Sequence, residues 1–400
     1  MDRIHHKILI IGGGAAGVAV AARLRRAKQD DVALLEPSDT HYYQPLWTLV
    51  GAGCASAHTT KRAEAKVLPR GVAWIKDAAD EIDPENQVVT TRTGVHIHYD
   101  LLVVAPGIQL DWDKIPGLTP TLGKNGVSSN YRFDLAPKTW EAIQNTKSGR
   151  ALFTMPSGPI KCAGAPQKIA YMAADYWQRQ GLLDNIEVTL VIPTPTIFGI
   201  PEFARVLEAV IERYGIQMRY QHELVEIDPD KKEAVLIDQS QDGRKERLSY
   251  DFMHAVPPQS APDWIKDSPL AAPNDPKGYI DIDKHTLQHT RWPNVFALGD
   301  AGNSPNSKTG AAARKQAPVV VKNLLAQING DNLTGSYNGY ASCPIVTAKG
   351  KMLLAEFDYS MQPTPTIPLI NTQKERRDMW LLKKYGLPFM YWNFILRGLA

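Results

Sequence analysis

The stretch HKILIIGGGAAGVAVAARLRR (His6–Arg26) reads as a buried strand, a glycine turn and a helix. Gly12, Gly14 and Gly17 fall on the G-x-G-x-x-G positions of a dinucleotide-binding turn. Gly12 permits the tight turn, Gly14 lets the backbone approach a pyrophosphate, and Gly17 lets helix and strand pack closely. Ala15 opens the helix, whose unpaired amides and positive dipole end suit phosphate groups. The next apolar run, Val32–Leu35, ends in Glu36, 24 residues after Gly12. An acid there binds the adenine-side ribose hydroxyls; a solvated strand end is the competing reading.

Two further stretches extend the same theme. YDLLVVAPG (Tyr99–Gly107) is a buried strand ending in a small-residue turn at Gly107, and NVFALGDAGN (Asn294–Asn303) is a strand followed by Gly-Asp. Both resemble signature stretches of the two-dinucleotide-binding-domain flavoproteins. That resemblance implies FAD, with Asp300 on its ribityl or pyrophosphate side, although Asp300 could also cap the helix that follows. The expected fold is α/β, with two Rossmann-like domains and a C-terminal amphipathic, membrane-associating segment. The FAD domain is expected to be discontinuous, residues 1–116 and 279–335, with a second Rossmann-like domain at 117–278. Residues 336–400 would form a redox-cysteine and membrane region.

In NAD(P)H-using relatives the inserted domain carries its own glycine fingerprint. The equivalent stretch here, RALFTMPSGPIKCAGAPQKIAYMAADYW (Arg150–Trp177), is again strand, turn and long helix, but its turn has no G-x-G-x-x-G. The following strand, Glu187–Ile192, ends in Pro193 and Thr194, with no acid for a ribose. The domain is therefore expected to lack a nicotinamide nucleotide. Cys162 stands where the cradle would be, just before a helix whose first turn carries Pro166. A thiolate there gains from the helix dipole and from Lys161, so its pKa should be depressed, as befits a redox cysteine. Cys343 lies 181 residues further on. Ser342-Cys343-Pro344 reads as a turn before a strand, equally compatible with a packed thiol at a domain seam. Cys54 has no charged neighbour and reads as inert. Three cysteines are too few for a disulfide scaffold.

EPSDTHYYQPLWTLVGAG (Glu36–Gly53), IKCAGAPQK (Ile160–Lys168), ALGDAGNSPNSKTGAA (Ala297–Ala312) and YASCPIVT (Tyr340–Thr347) resemble the sulfide:quinone oxidoreductases, in the branch of the mitochondrial enzyme and its bacterial relatives. The likeness runs along essentially the whole chain. It implies that Cys162 and Cys343 are a catalytic pair, bridged at rest by a disulfide or an extra sulfur, with Cys162 at the flavin and Cys343 reachable by solvent. Hydrosulfide would leave a persulfide on Cys343, two electrons would pass through FAD to quinone, and a small acceptor such as glutathione, sulfite or a similar thiol would take the sulfur. By the same likeness Gln44 and the backbone of Ala79 line the FAD site, and Lys308 sets a positive charge near the flavin's pyrimidine end. No cysteine matches a covalent flavin linkage, so noncovalent FAD is expected, and no metal.

The 400 residues suit two or three domains, and a net charge of +3 gives no general nucleic-acid footprint. The basic character lies in the tail KERRDMWLLKKYGLPFMYWNFILRGLA (Lys374–Ala400), where six basic residues face Glu375 and Asp378. Two short apolar helices flanking Gly386-Leu387-Pro388, with interfacial Trp and Tyr, suit a segment lying in a bilayer interface; core packing or a dimer contact is the alternative. No run reaches the ~20 apolar residues of a membrane span, and no signal peptide is expected ahead of Lys7–Ile11. The expected location is the periphery of a bacterial cytoplasmic membrane, with homo-oligomerisation open. The tail is expected to serve quinone and membrane only, so that sulfide could reduce a tailless protein. The competing functions are an NADH:quinone dehydrogenase-like flavoprotein, a sulfide dehydrogenase with a cytochrome partner, and an inactive flavoprotein used for binding.

Overall fold

The computed structural model describes residues 4–400. The first sheet is built from β1 (Ile4–Ile11), which leads into helix α1 (Ala15–Arg26), then β2 (Val32–Leu35), β3 (Ala73–Ile75), β4 (Ala79–Asp83), β5 (Val88–Thr91) and β6 (His96–Val104). A second stretch of chain supplies β7 (Val127–Ser128), β8 (Gly149–Thr154), helix α2 (Ala165–Arg179), β9 (Ile186–Ile192) and β10 (Gln217–Tyr220). There follow an antiparallel trio, β11 (His222–Asp228), β12 (Glu233–Asp238) and β13 (Arg244–Ser249), and then β14 (Phe252–His254). The chain returns through β15 (Val295–Ala297) and helix α3 (Gly310–Asn329) to a ribbon, β16 (Ala341–Ala348) and β17 (Lys351–Phe357). The last helices are α4 (Arg377–Leu381) and α5 (Leu387–Asn393).

The first sheet has the order β3-β2-β1-β6-β5-β4, with β15 pairing parallel to β6. Ile8–Ile11, Val32–Leu35 and Leu101–Val104 are buried without alternation, as strands covered on both faces must be. Register aligns Ile11 with Leu35 and Val104, and Ala297 with Val104. The turns carrying Gly12, Glu36, Gly107 and Asp300 therefore share one carboxyl edge, where open α/β sheets hold ligands. The second sheet, β7-β14-β8-β9-β10, is parallel throughout, and the turn containing Cys162 leaves its carboxyl edge.

Helix α2 is almost wholly buried, and the ribbon strand β16 packs against it, joining the end of the chain to the second sheet. The tail departs from its sequence reading. Gly386-Leu387-Pro388 does not divide it into two helices: α4 runs through a π-helical turn, Leu382–Gly386, directly into α5. Pro388 follows the widened π-helical turn directly, and that turn accommodates a residue with no N–H to donate inside a continuous helix. Met379, Trp380, Lys383, Tyr391, Trp392, Ile395 and Leu396 are buried, whereas Leu381, Tyr385, Phe389 and Phe394 are exposed. The first three of these recur at four-residue steps and form an apolar stripe on the outer face. Among the described residues no helix is long and apolar enough to cross a membrane.

Candidate active site

The first glycine turn is shaped for a dinucleotide. Gly12 sits at φ +103, and an added Cβ would lie 2.3 Å from the carbonyl oxygen of Ala105. At Gly17 it would lie 1.9 Å from the Gly12 oxygen, so helix and strand touch backbone to backbone. A Cβ on Gly14 or Gly107 would meet nothing within 4 Å. The space ahead of Ala15, at the start of α1, is thus open, and the leading amides of the helix have no partners within it. Glu36 accepts hydrogen bonds from the amides of Gly13 (2.7 Å) and Ser38 (2.8 Å), while burial raises its pKa. Ala79 is buried at the start of β4. These residues fit the phosphates and ribose of FAD.

Lys308 and Asp300 belong to the same edge. Lys308 is buried and donates to the backbone oxygens of Asp300 (2.7 Å) and Gly302 (2.8 Å), and burial pushes its pKa down to about 8. Asp300 is raised by burial and lies in the field of Lys308 and Lys161. It does not cap α3; the Thr309 side chain does, accepting from the amide of Ala312. Gln44 is exposed and accepts from Lys161 Nζ at 2.8 Å, which ties the FAD side to the turn of Cys162.

Cys162 occupies the left-handed region, φ +50, uncommon for a non-glycine residue and a sign of local strain. Several bonds hold it there. Its amide donates to Lys308 O (2.8 Å), and its carbonyl accepts from the amide of Ala165 (2.7 Å) and from Tyr131 Oη (3.2 Å). Cys343 reaches the same place from β16: a Cβ added to Gly164 would lie 2.6 Å from its Sγ. Cys343 is the third residue of that strand rather than part of a turn. Pro344 is tolerated because the ribbon has only two strands and leaves an edge free of pairing. Cys343 is also only 5% exposed, while Cys162 is half-buried, so the solvent-reachable role expected of Cys343 does not match its burial against α2.

Both are free thiols in the structure, as is Cys54. Hydrogen bonding from Cys343 drives the Cys162 pKa well down, with Lys168 assisting against burial; the same bond and burial drive Cys343 well up. Lys168 Nζ donates to Cys162 Sγ at 3.1 Å and is itself buried. Burial alone would depress this lysine, but the two sulfurs outweigh it and raise its pKa. Lys161, which sequence suggests as an influence on Cys162, is therefore secondary to Lys168, which reaches the sulfur directly. That residue ends the IKCAGAPQK stretch and could have been read as a six-residue reach along α2. Lys383, delivered from the tail, had no local signal: it is buried, donates to Pro45 O at 2.7 Å, and feels both sulfurs. Cys54 is raised by burial and stays apart from this cluster. Among the described residues no group of three or more His, Cys, Asp or Glu side chains converges as a metal site would.

Residues 6–317 match the family model described as pyridine nucleotide-disulphide oxidoreductase. A mitochondrial sulfide:quinone oxidoreductase of Mus musculus is 42% identical over 395 residues, covering 98% of this chain and 87% of its own. One from Dictyostelium discoideum is 42% identical over 395 residues, covering 98% of this chain and 86% of its own. In fold, the X-ray structure of the sulfide:quinone oxidoreductase from Aquifex aeolicus has a TM-score of 0.81 at 19% identity, covering 99% of this chain and 92% of that one. The expected bacterial cytoplasmic membrane gains no support from the mouse and Dictyostelium relatives, both mitochondrial.

Proposed function

Because the chain belongs to the sulfide:quinone oxidoreductases, within the pyridine nucleotide-disulphide oxidoreductase family, we propose that Cys162 and Cys343 carry its sulfur chemistry. The enzyme is a FAD flavoprotein that oxidises sulfide with quinone as electron acceptor. The observation that carries the residue assignment is the meeting of two thiols and the Lys168 ammonium at the turn where a second nucleotide cradle would stand.

Hydrosulfide attacks the Cys343 sulfur of a Cys162–Cys343 bridge. A sulfur–sulfur bond forms on Cys343, the bridge breaks, and its electron pair leaves on Cys162. A good leaving thiolate needs a low pKa, and the Lys168 ammonium, which donates to the Cys162 sulfur, supplies it. A small thiol, glutathione among them, or sulfite then takes the outer sulfur. When bound, FAD would supply the two-electron acceptor for reclosing the bridge, with quinone as the final acceptor. Gly12, Gly14, Ala15, Gly17, Glu36, Gln44, Ala79, Gly107, Asp300 and Lys308 hold the cofactor, without a covalent bond, on the discontinuous unit of residues 1–116 and 279–335. The stripe of Leu381, Tyr385 and Phe389 rests on a membrane surface, from which a lipid-soluble quinone enters.

The test is anaerobic. Sulfide should bleach the flavin absorbance and a quinone analogue should restore it, while NADH leaves it unchanged. Bleaching by NADH, or none by sulfide, overturns the reading.

A further inference from the structure

Three neighbouring strands of the second sheet, β7, β14 and β8, run parallel, and the loops leaving their carboxyl ends meet at Cys162. The loop after β7 supplies Tyr131, whose hydroxyl donates to Cys162 O at 3.2 Å. The loop after β14 supplies Gln259, whose Oε1 accepts from the amide of Lys161 at 2.9 Å. Both side chains are buried. Neither is what packing alone would select. Cys162 O already accepts from the amide of Ala165 at 2.7 Å, so a phenylalanine in place of Tyr131 would fill the space and leave no carbonyl unpaired. Gln259 Nε2 has no partner among the described residues, and burying an unmet donor is a cost that an apolar side chain would avoid. What each side chain contributes is its one bond to the Lys161–Cys162 segment. That segment is where the chain takes its left-handed turn, φ +50 at Cys162.

We propose that Tyr131 and Gln259 are positioning residues of the sulfur site: they hold the Lys161–Cys162 segment in its left-handed turn and so keep the Cys162 sulfur 3.1 Å from Lys168 Nζ. The inference rests on the reading of Cys162 given above. A non-glycine residue at positive φ stays there only while its surroundings over-determine it. Once the bonds are loosened, the backbone rotates toward its ordinary regions, and that rotation swings Cβ and carries Sγ off the ammonium. The Lys308 carbonyl, from the loop before α3, accepts from the Cys162 amide at 2.8 Å and sets the other side of the turn.

The experiment uses the full chain with FAD bound and both cysteines reduced, and needs no sulfide. Iodoacetamide modification of Cys162, located by peptide mass, is followed across pH in wild type, Tyr131→Phe, Gln259→Met, Lys168→Met and the double variant of Tyr131→Phe with Lys168→Met. The ionisable groups facing the sulfur are Cys343 from β16, Lys168 from α2 and Lys383 from the tail, with Lys161, Asp300 and Tyr131 also in its field. Burial raises the Tyr131 pKa well above its ordinary value, so neither Tyr131→Phe nor Gln259→Met changes a charge and a moved midpoint reports geometry. Each should raise the midpoint of modification by about one pH unit, a tenfold drop in rate on its acid side. In the Lys168→Met background Tyr131→Phe should add nothing, because the ammonium that the geometry serves is gone. Hydrogen exchange at the Cys162 amide should quicken in both single variants while the middle of α2 stays protected. An unmoved midpoint in either single variant, or a full additional shift in the double variant, overturns the proposal. Where Lys168→Met does not fold, exchange decides: an unchanged Cys162 amide, or protection lost throughout α2, overturns it equally. If Cys162→Ser protein is still bleached by sulfide, the cysteine assignment fails instead, and the modification profile still reports on Tyr131 and Gln259.

Discussion

Two strand–turn–helix units, β1 into α1 and β8 into α2, leave the carboxyl ends of parallel strands in two sheets and differ in what fills the turn. At Gly14 an added Cβ would meet nothing within 4 Å; at Gly164 it would lie 2.6 Å from Cys343 Sγ and 3.5 Å from Lys168 Cε. The first turn holds space open for a phosphate-bearing cofactor. The second has its space taken by a sulfur and an ammonium carried on the protein itself. The same geometric advantage, amides and dipole at a helix start, serves an exogenous anion in one case and an endogenous thiolate in the other. Fold alone would not separate these uses; the residue in the turn does.

The comparison breaks most sharply at Cys162. Cys162→Ser should lower sulfide-dependent bleaching of the flavin by roughly a thousandfold or more, because the leaving thiolate is gone. FAD content should stay near wild type, since the first turn is untouched. Loss of both together would show that the two turns are not separable.

A smaller effect is expected from deleting residues 374–400. From sequence, sulfide should still reduce such a protein. The structure argues for a defect in both halves of the reaction. His41 Nδ1–H donates to Gly13 O at 2.9 Å and Nε2 pairs with Tyr391 Oη at 2.5 Å, so the tail is latched to the FAD turn. Glu375 pairs with Arg213 at 2.8 Å, and Trp380, Tyr391, Trp392, Ile395 and Leu396 are buried. Each large apolar side chain contributes about 1.5–3 kcal/mol by burial. Truncation should lower the temperature at which FAD fluorescence is released and, because the tail is latched to the FAD turn, slow anaerobic bleaching by sulfide as well. A truncated protein with unchanged release temperature and bleaching rate would restore the sequence reading.

What was legible in the sequence follows from range. Gly12, Gly14, Gly17 and Glu36 act within one strand–turn–helix, and their spacing is a local signal. The broken second turn was legible for the same reason. Cys343 required resemblance, because the 181 residues separating it from Cys162 are closed only by β16 packing on α2. Lys168 reads as one polar residue of an amphipathic helix, and only the sulfurs make its burial tolerable. Lys383 sits in a tail whose Gly-Leu-Pro looks like a break; a π-helical turn, which no composition rule announces, turns its side chain inward. Pro344 misleads in the same way, marking an edge strand rather than a turn.

The finest contrast is a pair of single methyl groups. Gly14→Ala adds a Cβ to open space at an allowed φ of −72, so the cofactor-free protein should keep its thermal midpoint. The methyl would instead stand where the backbone must approach the pyrophosphate, and FAD affinity should fall; fluorescence quenching on titrating FAD reads this directly. Gly164→Ala also has a permissible backbone, φ −77, but its Cβ overlaps the Cys343 sulfur. Overpacking of this kind costs about 1–3 kcal/mol, and it should appear as a lower thermal midpoint with or without FAD. Pushing the sulfurs apart also weakens the hydrogen bond that lowers the Cys162 pKa, so the pH midpoint of Cys162 modification should move upward. The two substitutions thus swap readouts, one seen only when FAD is added and the other indifferent to it. Equal cofactor dependence in both variants would mean that the second turn, like the first, faces the bound dinucleotide.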